Sequence, residues 1–483
     1  MVDTRPYGLA ARAEIEKLLA HIDLDQATCD ALATQDPNTL RGIRQDMVTE
    51  IYSYRQDNFL QLARRLRLLS VKRLARLAVR VGPILCARIV SELDPYIATR
   101  VARRLDPSFL AEVAANADPE KVREVLNGLP ADLLRDAAMV HINQRQFTVL
   151  GAFADALAAP AIRQIISAIK DDAVLLKIAF YMEDRDQLAK VIRLLDNERV
   201  SSIVRCGTEN SDLWPLAISI VDRIEGELKG RLGNIMVTED DATLNELIDV
   251  ADSQKLWGPV LRALTAINAR YYRKVVNLPG LRNEAVLNNL VLTAYNKDLL
   301  VETLPLVKAM HRDYQKMIAH IVLRQDDELA EAVMEAAHAG DQWDLILDLA
   351  QHLNDQERDR LAALPAASNS VMLESLLGAA VRTGKASLVL DFAKRLNEDA
   401  LRTVAEISLR NGGDLLESLL NAARTTQHGW DAVATAVAAV NDDATLSEIA
   451  VVYHRQNSED QHAFQEAASK AQAWERLSAV INN

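Results

Sequence analysis

The tryptophans of this chain fall on a single period, and that period constrains the fold more than any other feature of the sequence. Successive tryptophans are 43, 86, 87 and 44 residues apart. When a leucine and an alanine fill the two gaps, the starts of the repeat are Trp214, Trp257, Leu300, Trp343, Ala386, Trp430 and Trp474. A repeat of this length predicts supersecondary units that stack on one another and bury a shared core.

A column of alanines supports the same period. The residue 37 positions after each of the first six starts is an alanine, namely Ala251, Ala294, Ala337, Ala380, Ala423 and Ala467. A larger side chain would hold two helices apart, so this column indicates a close helix crossing. Aliphatic columns at helical spacing, with Pro or Gly between them, divide each unit into three short helices. In size these units resemble armadillo or HEAT repeats.

The signals for helix starts come closer together between residues 92 and 142. They are Asp94-Pro95, Asp106-Pro107, Asp118-Pro119 and Leu129-Pro130, spaced 11 or 12 residues apart. Each Asp can cap the helix that follows, and each Pro suits the first turn, where its missing N–H costs nothing. The pattern predicts helices of fewer than three turns, such as 119–128, which are stable only when packed on their neighbours.

This pattern of closely spaced helix starts resembles the N-terminal cytosolic domain of the MgtE magnesium transporters and the related helical domains of the flagellar switch protein FliG. Those proteins share runs of the type L-[DP]-P-x-x-x-A-x-x-L-x-x-L, and the resemblance covers residues 60–210. It implies a right-handed superhelix of short helices. It does not imply transport, because no residues match the acidic magnesium sites and no transmembrane segment is present.

The predicted fold is therefore an all-α, right-handed α-solenoid of short helices. We predict an N-terminal helical segment at 1–58, a short-helix solenoid at 59–210, and armadillo/HEAT-like repeats at 211–483. The last region holds six units of 43 residues and a truncated seventh. A composition with 5% aromatic residues, rich in Leu, Ala, Arg, Asp and Glu, likewise favours helices over sheets.

The sequence predicts a cytoplasmic protein. Its three cysteines, Cys29, Cys86 and Cys206, are too far apart to form a disulfide framework. The first 25 residues contain acids where a signal peptide needs an apolar core. No uncharged apolar run approaches the roughly 18 residues that would span a bilayer.

No local motif indicates an enzyme, a cofactor or a metal. The chain has no nucleophile elbow, no Gly-rich phosphate loop and no zinc-ligand spacing. Four acidic or Glu-x-x-His pairs could be metal ligands: Glu335/His338, Glu459/His462, Asp240-Asp241 and Asp442-Asp443. We interpret the two Asp pairs and His338 as helix ends, where such charges face the helix dipole. The two Glu-x-x-His pairs occupy different positions in the repeat, so they are not expected to form one site. We therefore predict no catalytic residue and no cofactor.

The one functional candidate is a basic patch. Residues 58–91 contain no acid and eight bases: Arg64, Arg65, Arg67, Lys72, Arg73, Arg76, Arg80 and Arg88. The chain as a whole has a net charge of −13, but residues 1–110 contain 17 bases and 13 acids, a local excess of +4. The patch is either paired with acids within the fold or free to dock an anionic partner.

These observations predict a non-catalytic scaffold that binds protein partners along its extended surface. We expect the partner at the basic patch to be acidic, because the acidic remainder of the chain repels polyanions and disfavours stable nucleic-acid binding. The alternative is a polyanion binder, for nucleic acid or an anionic membrane surface, that uses residues 64–104. A weaker alternative is an enzyme with a site in the concave face. The sequence leaves peripheral membrane contact and homo-oligomers open.

Overall fold

The computed structural model describes residues 8–54, 56–411, 413–426 and 429–481. In these residues the fold is entirely helical, as predicted, with 34 α-helices, four short 3-10 helices and no strand. The chain divides into two compact units, Met1–Ile267 (unit 1) and Asn268–Asn483 (unit 2). The predicted change of module at residue 210 lies inside unit 1.

Unit 1 contains nineteen of the described α-helices. They are α1 (Gly8–Leu19), α2 (Gln26–Leu32), α3 (Pro37–Ser53), α4 (Gln56–Leu66), α5 (Val71–Val81), α6 (Pro83–Val90), α7 (Pro95–Ala102), α8 (Pro107–Ala114), α9 (Arg123–Asn127), α10 (Ala131–Asn143), α11 (Phe147–Ala154), α12 (Ala159–Ala168), α13 (Asp172–Tyr181), α14 (Arg185–Arg193), α15 (Asn197–Glu209), α16 (Trp214–Arg223), α17 (Gly226–Met236), α18 (Asp241–Ser253) and α19 (Trp257–Leu264).

Unit 2 contains the other fifteen. They are α20 (Tyr272–Val275), α21 (Glu284–Asn296), α22 (Leu300–Lys308), α23 (Arg312–Arg324), α24 (Asp327–Ala339), α25 (Trp343–Ala350), α26 (Asp355–Ala362), α27 (Ser370–Arg382), α28 (Ala386–Ala393), α29 (Glu398–Asn411), α30 (Gly413–Thr425), α31 (Gly429–Ala438), α32 (Asp443–His454), α33 (Ser458–Lys470) and α34 (Trp474–Ile481).

The helices follow the 43-residue period. A helix begins at, or one residue before, every predicted repeat start, and these helices are α16, α19, α22, α25, α28, α31 and α34. Trp214, Trp257 and Trp343 are buried, while Trp430 and Trp474 are half-buried. The tryptophans therefore pack within the helix array instead of projecting from it.

The alanine column lies in the core. Its six members are between 0% and 4% exposed. In several repeats the carbonyl of this alanine also closes the helix: the Gln342 N–H donates to Ala337 O at 2.8 Å, and the Lys385 N–H donates to Ala380 O at 2.8 Å. This bond across a left-handed residue is the Schellman helix end.

The left-handed residue at these helix ends is seldom a glycine. Lys255, Asp298 and Asp341 have φ values of 56°, 54° and 47°. Only the equivalent position of a later repeat holds the expected glycine, Gly384, with a φ of 68°. Gly340, which precedes Asp341, has an ordinary φ of −94°. A side chain at the left-handed position adopts a conformation that costs roughly 1 kcal/mol.

One predicted helix is shorter than expected. Of residues 119–128 only Arg123–Asn127 is helical, although Asp118 accepts from the Glu120 N–H at 3.0 Å, as a cap would. Val122 lies before the helix and is 4% exposed, in a cluster with Ala87 and Phe153. Burial of Val122 therefore prevails over the local capping signal. The caps predicted at Asp94 and Asp106 are present.

The predicted N-terminal segment docks onto the middle of unit 1. Glu14, 3% exposed, accepts from Arg44 Nε at 2.9 Å, and Arg44 Nη2 also donates to Glu183 at 2.6 Å. Lys17 Nζ donates to the same Glu183 carboxylate at 2.8 Å. Because these cations lie beside it, the pKa of Glu183 is lowered although its burial acts in the opposite direction.

Candidate docking surface

Three short helices carry the basic patch, and an apolar core holds them in place. In α5, Leu74 and Ala75 are buried against Leu66 at the end of α4 and against Val101. Gly82 ends α5 with a φ of 88°, and Pro83 begins α6 at once. Arg73, Arg76 and Arg80 follow one another at i, i+3 and i+7 on α5, on the face opposite Leu74 and Ala75, and all three are exposed.

Seven of the eight bases in the patch are exposed: Arg64, Arg65, Arg67, Lys72, Arg73, Arg76 and Arg80. Within the described ranges, none of these seven lies within 4 Å of a carboxylate oxygen. Their side chains also donate no hydrogen bond to a described residue. The positive charge of α4 and α5 is therefore left unneutralised by the parts of the fold that the structure describes.

Arg88 differs from the other seven. It is half-buried on α6, and its Nη1 donates to the backbone carbonyl of Ile51 at 2.8 Å. In the wider 64–104 stretch, Arg103 Nη2 likewise donates to the Gly128 carbonyl at 2.7 Å. These two arginines hold backbone segments together, so the exposed charge is concentrated on α4, α5 and the loop between them.

Exposed apolar side chains accompany the bases. Fifteen large apolar side chains are exposed in the described residues, and nine of them lie between Tyr54 and Tyr96. Leu68, in the loop between α4 and α5, is 88% exposed, Val79 on α5 is 58% exposed, and Ile84 on α6 is 63% exposed. Large exposed apolar groups beside unpaired charge are typical of an interaction surface.

The bases of unit 2 have a different environment. Many of them form ion pairs with carboxylates 33 to 41 residues away, which is about one repeat: Arg358–Asp391, Arg360–Asp327, Arg382–Asp341, Lys385–Asp348, Arg395–Asp355, Arg410–Glu374 and Arg424–Asp460. The N···O distances are between 2.6 and 3.4 Å. These ion pairs join neighbouring repeats, so the positive charge of these bases is neutralised within unit 2.

The other candidate motifs lie at helix ends, as interpreted from the sequence. Asp240 accepts from the Thr243 N–H at 2.8 Å, and Asp442 accepts from the Thr445 N–H at 2.8 Å. The ring of His338, in the last turn of α24, lies 6.4 Å from the indole of Trp343. Across the residues with described positions, no three His, Cys, Asp or Glu side chains are grouped so that they could hold a metal ion.

Sequence reasoning found the bases but missed the apolar part of this surface. In α5 the signal is that Leu77 and Val79 interrupt the polar face, so that the helix has more apolar residues than its core contact needs.

Comparison with known proteins gives no relative whose binding surface could be compared with this one. The chain matches no protein-family model and no curated protein. Within the described ranges, no helix is long and apolar enough to cross a bilayer.

Proposed function

We propose that this protein is a non-catalytic helical-repeat scaffold that docks an acidic protein partner on the basic patch. The observation that carries the proposal is the exposure of seven bases with no carboxylate beside them among the described residues. Unpaired charge of one sign steers a partner of opposite sign and sets its register.

The apolar side chains beside the bases support a protein partner over nucleic acid. Leu68, Val79 and Ile84 can be buried against an apolar surface, whereas phosphates offer no apolar surface to cover them. The net charge of −13 also opposes long polyanions. An acidic protein surface with apolar residues satisfies both kinds of group.

Further support comes from the repeats. We infer that residues 211–483 are of the armadillo/HEAT type and that the short helices of residues 59–210 are of the MgtE/FliG type. Helix starts every 43 residues and the buried alanine column support the first inference, and the Asp caps at 94 and 106 support the second. Proteins built from such repeats present extended surfaces to other proteins.

An anionic membrane surface is the second candidate partner, because the same exposed apolar side chains could enter the headgroup region. A basic surface with exposed Leu and Ile has the two features that a peripheral membrane protein combines, which are charge attraction and shallow apolar insertion.

The experiment compares two charge reversals of equal size. Arg76→Glu/Arg80→Glu reverses two bases one turn apart on α5, and Arg312→Glu/Lys316→Glu reverses two exposed bases with the same spacing on α23. A photo-crosslinking residue at position 73 identifies the neighbour of the patch in the native cell. We expect the purified partner to be acidic, and we expect its affinity to fall at least tenfold in the α5 variant and to stay unchanged in the α23 variant.

Vesicles and nucleic acids are the competing probes. At ~0.15 M salt, where the Debye length is about 8 Å, we expect only weak binding to phosphatidylglycerol vesicles, DNA or RNA. If one of these probes binds with submicromolar affinity, and this binding is lost in the α5 variant but kept in the α23 variant, the partner of the basic patch is that polyanion and not a protein. An equal loss in both variants would show that the patch has no specific role.

A further inference from the structure

An apolar cavity of about 330 Å³ lies inside unit 1. Every helix from α6 to α19 contributes to its lining, which begins at Val90 and ends at Ile267. Of the lining residues, only His141 and Trp214 carry a side-chain nitrogen, and all the others are aliphatic, aromatic, Met, Gly or Pro. A site of this composition recognises hydrocarbon and offers no counter-charge.

The single titratable residue of the lining does not change this character. His141 is 4% exposed, and its Nδ1 lies 2.6 Å from the side-chain oxygen of Gln146. Burial lowers the pKa of His141, so the ring is neutral at neutral pH. The cavity is therefore apolar and uncharged along its whole length.

The size of the cavity restricts what can occupy it. Fourteen successive helices contribute to its lining, so the cavity extends along the helix array. An apolar cavity of about 150 Å³ holds the six carbons of benzene, so by proportion this cavity holds a chain of about thirteen carbons.

Two apolar cavities between described helices of unit 2 are smaller than the cavity of unit 1. Their volumes are about 110 and 70 Å³. The larger of these lies near Trp430, and the smaller one near Trp343. The cavity of unit 1 is thus about three times as large as the larger of these two.

We propose that the cavity of unit 1 binds one long acyl chain. Several of its lining side chains, among them Leu133, Ile166 and Leu195, are half-buried, so the cavity opens to solvent. The lining contains no cation for a carboxylate or a phosphate, so the polar head of the ligand stays outside at this opening. The chain is recognised by its length and its apolar character, and it belongs either to a free fatty acid or to a single-chain phospholipid. This inference is independent of the basic patch.

The test uses the full chain, stripped of bound lipid, and three probes. Myristate and lysophosphatidylcholine with a myristoyl chain carry the same hydrocarbon on different heads, and octanoate is the short-chain control. Native mass spectrometry should show one equivalent of at least one myristoyl probe. Because each buried methylene adds to affinity, octanoate should bind at least 100-fold more weakly. If only one of the two myristoyl probes binds, its head group identifies the source of the acyl chain. If neither myristoyl probe binds, the proposal is wrong.

Variants that fill the cavity distinguish binding of the acyl chain inside the cavity from binding on the protein surface. Ala137→Phe on α10 and Ala179→Phe on α13 place a ring in the lining, and Ala159→Phe places one on the exposed first turn of α12. We expect the first two to lower affinity for the myristoyl probe at least tenfold without loss of helical signal, and the third to leave affinity unchanged. Binding that persists undiminished in both lining variants contradicts the proposal. If these variants do not fold, the titration of the natural chain with the three probes decides.

Discussion

Unit 1 and unit 2 are built from the same short helices, yet they use their charges and their interiors differently. In unit 2 many arginines pair with carboxylates about one repeat away, and two apolar cavities between its described helices have volumes of only about 110 and 70 Å³. In unit 1 the bases of α4 and α5 have no carboxylate beside them among the described residues, and an apolar cavity of about 330 Å³ lies between the helices. Ion pairs between repeats thus stabilise unit 2, whereas the charge of α4 and α5 makes no such contribution to unit 1.

The physical basis of the difference is the register of the repeat. When a repeat recurs every 43 residues, an acid at one position and a base at another meet across each junction. The α4–α6 region lies outside this register and has no acid from 58 to 91, so no such junction forms there. Four predictions would break or sharpen the comparison, and hydrogen-exchange mass spectrometry can follow each unit separately in the full chain.

The largest effect is expected from a buried carboxylate in unit 1. Asp155 is 8% exposed and has no cation within ion-pair distance among the described residues, and burial raises its pKa to about 6. The unfolded chain therefore loses this proton at lower pH than the folded chain does, and stability falls as pH rises from about 4 to 6. Asp155→Asn should remove this slope and stabilise unit 1 at pH 7 by up to about 3 kcal/mol.

The control for that change is a buried carboxylate in unit 2 that has a counter-ion. Asp460 is 7% exposed and accepts from Arg424 Nε at 2.7 Å. Asp460→Asn should destabilise unit 2 by about 1–2 kcal/mol at pH 7, the opposite sign. If both variants shift stability in the same direction, pairing is not what distinguishes the two sites.

The second prediction compares alanines in the two interiors. Ala380 is 1% exposed in the core of unit 2, and we predict a close helix crossing there, so Ala380→Leu should cost about 1–3 kcal/mol of unfolding free energy. Ala137 lines the cavity of unit 1, where the same change has room and should cost less than 0.5 kcal/mol or stabilise. Urea denaturation measures both, with Ala444→Leu at an exposed site as reference. An unchanged midpoint for Ala380→Leu would refute the close crossing.

The third prediction compares arginines. Arg360 donates to the Gln325 carbonyl at 2.7 Å and to Asp327 at 2.6 Å, so Arg360→Ala should destabilise unit 2 by about 1 kcal/mol. Arg76 is exposed and has no such partner, and Arg76→Ala should stay within about 0.5 kcal/mol of the natural chain. A clear loss for Arg76→Ala would mean that the basic patch serves stability and not docking.

The smallest effect is expected at a helix end. Lys255 has a φ of 56°, which an L-residue adopts at a cost, so Lys255→Gly should stabilise unit 1 by about 0.5 kcal/mol. Gly384→Lys at the equivalent position of unit 2 should destabilise by a similar amount. Thermal unfolding of the two variants checks whether the two units share this helix end.

Much of the fold was predictable because it depends on local periodicity. The spacing of the tryptophans placed the first helix of each repeat, and the alanine column identified positions that prove to be buried. That Asp341 and not Gly340 has the left-handed conformation after α24 could not be predicted, because glycine is the residue that the sequence favours for that conformation. Nor could the short α9, where burial of Val122 outweighs the cap at Asp118.

The candidate site shows the same division. The sequence by itself determined that the chain is helical, that its second half repeats, and that eight bases stand together without an acid, because composition and spacing are properties of the chain alone. Only the tertiary structure decided that Arg88 donates a hydrogen bond to the Ile51 carbonyl while Arg76 is exposed, that Leu68 is exposed while Leu66 is buried, and that an apolar cavity lies between the helices of unit 1. Exposure, pairing and empty volume depend on which residues distant in sequence meet, and that is fixed only when the helices pack.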